Sequence, residues 1–118
     1  MGALTRDQIL SAEDLQTETV EVPEWGGSVK VRSMTGAQRD QYDVAMFRAT
    51  SDDESAPSLR AMLVSFCAVD EEGNPLFTKE DVKALAGKSS SAIGRVYDAA
   101  RRVSGMDRHA VESAEKNS

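Results

Sequence analysis

The sequence predicts an α+β domain: an N-terminal β-hairpin packed on a small bundle of about four α-helices. Three observations lead there. Residues 17 to 33 alternate apolar and polar side chains with period two around the pair Gly26-Gly27. Three later segments carry apolar residues at helical spacing or are apolar nearly all round, and each follows a capping residue. Short acidic or glycine-containing runs punctuate them. A lone two-stranded hairpin is marginal in water, so its valine face must lie on helices or its edges must pair with another chain.

Taken in order, residues 1–15 form an arm. Thr5-Arg6-Asp7-Gln8 is a capping-box pattern that starts a turn or two of helix. The body of the domain is expected at 16–106. In its hairpin, residues 17–33, Val20 and Val22 on one strand match Val29 and Val31 on the other. The two glycines are expected to supply the positive φ angles of a tight turn. Glu18 and Glu21 are expected to face Lys30 and Arg32 on the solvent side. Thr35 and Gln38 form a second capping box, opening a helix at about 36–50 with Tyr42, Ala45, Met46 and Ala49 inward. Val44 and Phe47 point away from that stripe.

The acidic run 51–57, closed by Pro57, reads as an exposed loop. SLRAMLVSFCAV, at about 58–69, is expected to be the central core helix. After the turn 70–75, Phe77 and Val82 flank Thr78 with the spacing of a hydrophobic staple, giving a short helix at 79–86 ended by a left-handed Gly87. Serines 89 to 91 cap a last helix, about 91–104, whose inward stripe is Ile93, Val96, Tyr97, Ala100 and Val103. Arg95, Asp98 and Arg102 are expected to form ion pairs along its outer face. Gly105 ends it, and residues 107–118 read as a disordered tail.

Composition narrows the function classes. With 118 residues the chain suits one modest core. A net charge of −6 repels nucleic-acid backbones and anionic membranes, so neither is expected as a partner. No apolar run is long enough for a signal peptide or a bilayer span, and Arg6 stands where a myristoylation motif wants Ser or Thr. The single cysteine, Cys67, lies in an apolar run and reads as a buried thiol in a reducing compartment.

No motif carries chemistry. AGKSSS at 86–91 ends like a phosphate-binding loop, but Val82 stands where its first glycine belongs, and a helix precedes it instead of a strand. It is a cap. The turn Asp70 to Asn74 puts Gly73 at the fourth position, where a calcium loop needs glycine at the sixth. One histidine, His109, and one buried cysteine cannot assemble a zinc site. Arg95, Arg101, Arg102 and Arg108 resemble a phosphate patch, yet cations near a helix C-terminus are ordinary. No enzyme activity, cofactor or metal is expected.

The run VEVPEWGGSVKVRSMTGAQRDQYD, followed after the acidic run by LVSFCAVDEEGNPLFTKEDVKALAGKSSSAIGRVYDAARRVSGM, resembles the tail assembly chaperones of long-tailed bacteriophages and prophages. The resemblance covers roughly residues 10 to 106. It implies a non-catalytic holdase in the host bacterial cytoplasm. Such a protein coats the tape-measure protein, helps recruit subunits of the major tail protein, and leaves before the particle is complete. In many such phages a ribosomal frameshift adds a C-terminal domain, and the polar end at Ser118 fits the shorter product. The resemblance transfers no binding motif residue by residue.

Candidate interface residues are therefore physical choices: Trp25, Val44, Phe47, Val29 and Val31, with the hairpin edges. Trp25 is expected either to cover the end of the core or to anchor a partner. A homo-oligomer through the strand edge would use the same features. The competing function is a permanent head-tail or tail-completion component of the particle.

Overall fold

The computed structural model describes residues 2–50 and 58–106 of the chain. The run 51–57 and the tail from 107, expected as a loop and a disordered end, lie outside the described residues, as do His109 and Arg108.

The hairpin forms from β1 (Thr17–Val22) and β2 (Gly27–Arg32), antiparallel, with Val20 opposite Val29 and Val22 opposite Gly27. Its turn differs from the expected glycine pair. Pro23–Trp25 makes one turn of 3-10 helix, and only Gly26 takes a positive φ, 73°. Pro23 has its φ preset for such a turn. The Gly26 amide then donates to the Pro23 carbonyl at 3.0 Å, which moves the reversal upstream and leaves Gly27 to open β2. The facing charges also differ. Thr17 lies opposite Arg32, Thr19 opposite Lys30, Glu21 opposite Ser28 and Glu18 opposite Val31. Glu18 shares its parity with Val20 and Val22, so it faces the helices instead of the solvent side.

A third strand was not expected. The core helix, α3 (Leu59–Cys67), stops at Cys67, and Ala68–Val69 becomes β3, paired antiparallel with β2 in the order β1-β2-β3. An all-apolar segment satisfies either conformation on side-chain grounds. The open edge of β2 decides, because its backbone groups would otherwise be buried without partners. The chain then reverses at Asp70, whose Oδ1 accepts from the amides of Glu72 and Asn74, both at 2.9 Å. Those hydrogen bonds, the Asn74 amide foremost, hold its carboxyl below the usual range. Gly73, at φ 88°, completes the turn, and the Leu76 amide returns to the Ala68 carbonyl at 3.0 Å.

Capping sets the remaining helices. Thr5 and Gln8 cap α1 (Arg6–Ser11) reciprocally, and α1 buries none of its residues. Thr35 and Gln38 do the same for α2 (Gly36–Thr50). The segment expected as one helix at 79–86 divides into a 3-10 turn, Lys79–Asp81, and α4 (Val82–Ala86). Gly87 is not left-handed: its φ is −86°. Its amide bonds Ala84 O at 3.1 Å and the Lys88 amide bonds Leu85 O at 3.0 Å, so a tight right-handed turn closes α4 without a positive φ. Ser89 caps α5 (Ser90–Val103), and Gly105 ends it at φ 78°.

The core gathers around α5, which packs on both β1 and β2 and on α3. Ala92, Val96, Ala99 and Ala100 of α5 meet Val22 and Val31 from the sheet and Leu63, Val64 and Cys67 from α3, all fully buried. Alanines on α5 let its neighbours approach closely, while each buried valine or leucine contributes roughly 1.5–3 kcal/mol. Tyr42 of α2 and Leu85 of α4 close the cluster. The expected ion-pair ladder along α5 is replaced by tethers to the hairpin. Arg95 Nε lies 3.0 Å from Glu24 Oε1, and Arg102 Nη2 lies 2.7 Å from Glu18 Oε1.

Candidate protein-interaction surface

Among the described residues, several groups that resembled chemistry in the sequence have capping, packing or ion-pair duties in the fold. Within AGKSSS, Ser89 Oγ accepts from the Ala92 amide at 3.4 Å. Cys67 is buried, and burial pushes its thiol up to about 11, which suppresses the reactive thiolate. Burial likewise raises the Tyr42 hydroxyl well above the usual phenol range, with Tyr97 beside it. Arg95 and Arg102 engage Glu24 and Glu18, while Arg101 rests 5.6 Å from the centre of the Tyr97 ring. Among the described residues no cluster of His, Cys, Asp and Glu could hold a metal ion.

What the surface offers is apolar. Along α2, Tyr42 and Ala45 are buried at 1% and 4% exposure, while Val44 and Phe47 on the other side are 54% and 72% exposed. The helix spacing sets this: Val44 and Phe47 each stand two positions past a buried residue, Tyr42 and Ala45, and so turn to the other side. Beside Val44 runs a groove of about 460 Å³ between α2, α3 and the start of α4. Its apolar lining comes from Val44, Ala45, Met62, Phe66 and Val82. Asp40, Arg48 and Lys79 supply its charges. A trough whose lining mixes these apolar side chains with a few charges suits the apolar face of a helix.

A second hollow of about 410 Å³ lies at the hairpin tip, lined by Trp25, Phe77, Ala84 and Leu85. Trp25 is half-buried against the core, so it both covers the core's end and shows a flank to that hollow. Val31 is fully buried and Val29 half-buried on the helix-facing side of the sheet. The fold therefore does not bring these two valines to the surface that holds Val44 and Phe47. What the hairpin offers is the outer edge of β1. The Ser33 amide donates to Gln16 O at 2.8 Å. By the alternation of antiparallel ladders, Thr17, Thr19 and Glu21 then turn their backbone groups away from β2. Among the described residues no strand covers that edge.

Sequence reasoning missed half of the groove. Met62 and Phe66 read as core positions, because an all-apolar helix gives no sign of which side stays open, and Val82 reads only as the staple partner of Phe77. It also passed over Leu4, Ile9 and Leu10 of the arm, which are 68%, 55% and 67% exposed. The available signal was an apolar pair with no matching stripe.

Among the described residues no helix is long and apolar enough to cross a membrane. The solved structure of the bacteriophage HK97 tail assembly chaperone is similar, with a TM-score of 0.54 and 19% sequence identity. That match spans 79% of this chain and 94% of the other, and it shows a shared fold. No curated protein matches. The family model of the phage tail assembly chaperones matches residues 5–117. The chain belongs to that family.

Proposed function

We propose that this member of the phage tail assembly chaperones is a non-catalytic holdase for the tape-measure protein in the host bacterial cytoplasm, and that it helps recruit major tail protein subunits to the growing tail. Family membership carries this reading. The groove beside Val44 supports it and suggests where the client binds. A long helical client carries apolar stripes that must be covered until the tail tube surrounds it. A helix laid in the groove would cover Val44, Met62, Phe66 and Val82 together. Full burial of such a side chain contributes roughly 1.5–3 kcal/mol, and these four, already partly buried, would each add a fraction of that on covering. Repeated along a client, that is enough to hold and weak enough to release.

The test is co-expression with the tape-measure protein of the same phage. The wild-type chain is expected to raise the soluble fraction of that protein. Val44→Asp is expected to remove the gain while leaving the chaperone's own melting temperature nearly unchanged, since Val44 is half exposed. Equal solubility with and without the chaperone would overturn the reading. So would finding the chain in purified particles by mass spectrometry, which would favour a permanent head-tail or tail-completion component.

A further inference from the structure

The two sides of the sheet end differently. Beyond β2 lies β3, only two residues long, and Pro75 bridges Val69 on its far side. A proline brings no donor, so the ladder stops there. β1 has no such stop. It is six residues long, contains no proline, and runs in register with β2 from Thr17–Arg32 to Val22–Gly27 without a bulge. Thr17, Thr19 and Glu21 turn amide and carbonyl away from β2, and among the described residues no backbone group receives them. What the edge carries instead is charge. Glu13, Asp14, Glu18, Glu21 and Glu24 fall within residues 12–24, a stretch with no Lys or Arg. Arg102 and Arg95 answer Glu18 and Glu24. Among the described residues no ion pair answers Glu21 on the strand, or Glu13 and Asp14 just before it.

We propose that the outer edge of β1 takes a fourth strand from a different protein, an extended segment that alternates basic and apolar residues. β2 shows what β1 accepts. Its sequence GSVKVR sets Lys30 and Arg32 opposite Thr19 and Thr17, while Val29 and Val31 lie on the helix side. A strand of like pattern repeats that pairing on the outer edge. Its basic side chains come beside Thr17, Thr19 and Glu21, and its apolar ones cover the open flank of half-buried Val20. Backbone hydrogen bonds give such a contact its affinity, and the alternation gives it specificity. A second copy offering the same edge would set carboxylates near carboxylates. The charge that invites a basic strand therefore also turns away its own kind. The edge shares no residue with the α2–α3 groove. The inference goes beyond the holdase reading and does not depend on it, because its probe is a synthetic peptide and no client is present.

Amide hydrogen exchange followed by NMR on the full chain, with a short peptide alternating Lys and Val, tests the edge. The amides of Thr17, Thr19 and Glu21 are expected to slow at least about tenfold on saturation with peptide. Those of Val20 and Val22, already paired with β2, are expected to change little. Charge alone is separated from strand pairing in two ways. A peptide methylated on the backbone nitrogens that would face β1 keeps its charge, and is expected to bind at least about tenfold more weakly. Thr19→Pro removes an outward donor and spares the β1–β2 ladder, with the same weakening expected. Glu21→Lys is expected to weaken binding about three- to tenfold, and a peptide alternating Glu and Val to give no protection. Absence of binding by the Lys peptide, protection confined to other elements, or equal binding by the methylated peptide overturns the proposal. So does protection of the same three amides on concentrating the chain alone, which would give the edge to a second copy. Should Thr19→Pro fail to fold, the methylated peptide on wild type decides.

Discussion

The helices α5 and α2 have 14 and 15 residues, and they spend them in opposite ways. α5 buries Ala92, Ile93, Val96, Ala99 and Ala100 along one side and sends Arg95 and Arg102 from the other to the hairpin. α2 buries Tyr42 and Ala45 and turns Val44 and Phe47 outward. An apolar outer face on a small acidic protein has no folding reason, since it costs solubility and adds nothing to the core. The difference places the folding surface on α5 and leaves the open side of α2 to the partner contact proposed above.

The largest expected effect tests that division directly. Ile93→Ala on α5 is expected to destabilise by about 2–5 kcal/mol, through lost burial and the cavity left behind. Val44→Ala on α2 is expected to stay within about 0.5 kcal/mol of wild type. Urea denaturation of both variants, with matching m-values, gives the answer. Comparable losses would break the division, because α2's outer side would then be folding surface.

A smaller effect sharpens it. Cys67 lies on α3 within the core cluster built around α5, and its thiol is pushed up to about 11 chiefly by burial. At pH 8 the shift alone lowers the thiolate fraction on the order of 100-fold relative to an ordinary cysteine. Alkylation of the native chain is expected to be slower than that of the urea-unfolded chain by at least that factor. Ile93→Ala is expected to recover part of the lost rate. Prompt labelling of the native wild type would mean that the α3–α5 contact opens readily, against the role given to α5.

Legibility in the sequence follows the same line. α5 was readable because its stripe has one period and its caps, Ser89 and Gly105, stand at both ends. The outward turn of Val44 and Phe47 was readable for the same geometric reason. The end of α3 was not, since Cys67-Ala68-Val69 is apolar on every side and only the edge of β2, far away in sequence, makes it a strand. Glu18, a charge in a strand, reads as solvent-facing, but its parity puts it toward α5 and Arg102. The groove's far wall, Phe66 and Met62, was hidden by the same uniform hydrophobicity that hid β3.

The smallest effect lies in the ion pairs, and it separates the helices by what each pair joins. Glu18–Arg102 links β1 to α5 at 2.7 Å, with side chains 34% and 54% exposed. Arg39–Asp43 lies within α2 at 3.0 Å, at spacing i,i+4. The first is expected to show a coupling of about 0.2–1 kcal/mol in a double-mutant cycle with Glu18→Gln and Arg102→Gln, weakening as salt rises. The second runs from cation to anion along the helix, the less favourable order against the helix dipole, so its coupling is expected below about 0.3 kcal/mol. Urea midpoints at low and high salt measure both cycles. A coupling within α2 that equals the tether on α5 would show that the charges do not distinguish the two helices, leaving buried apolar area as the whole of the difference.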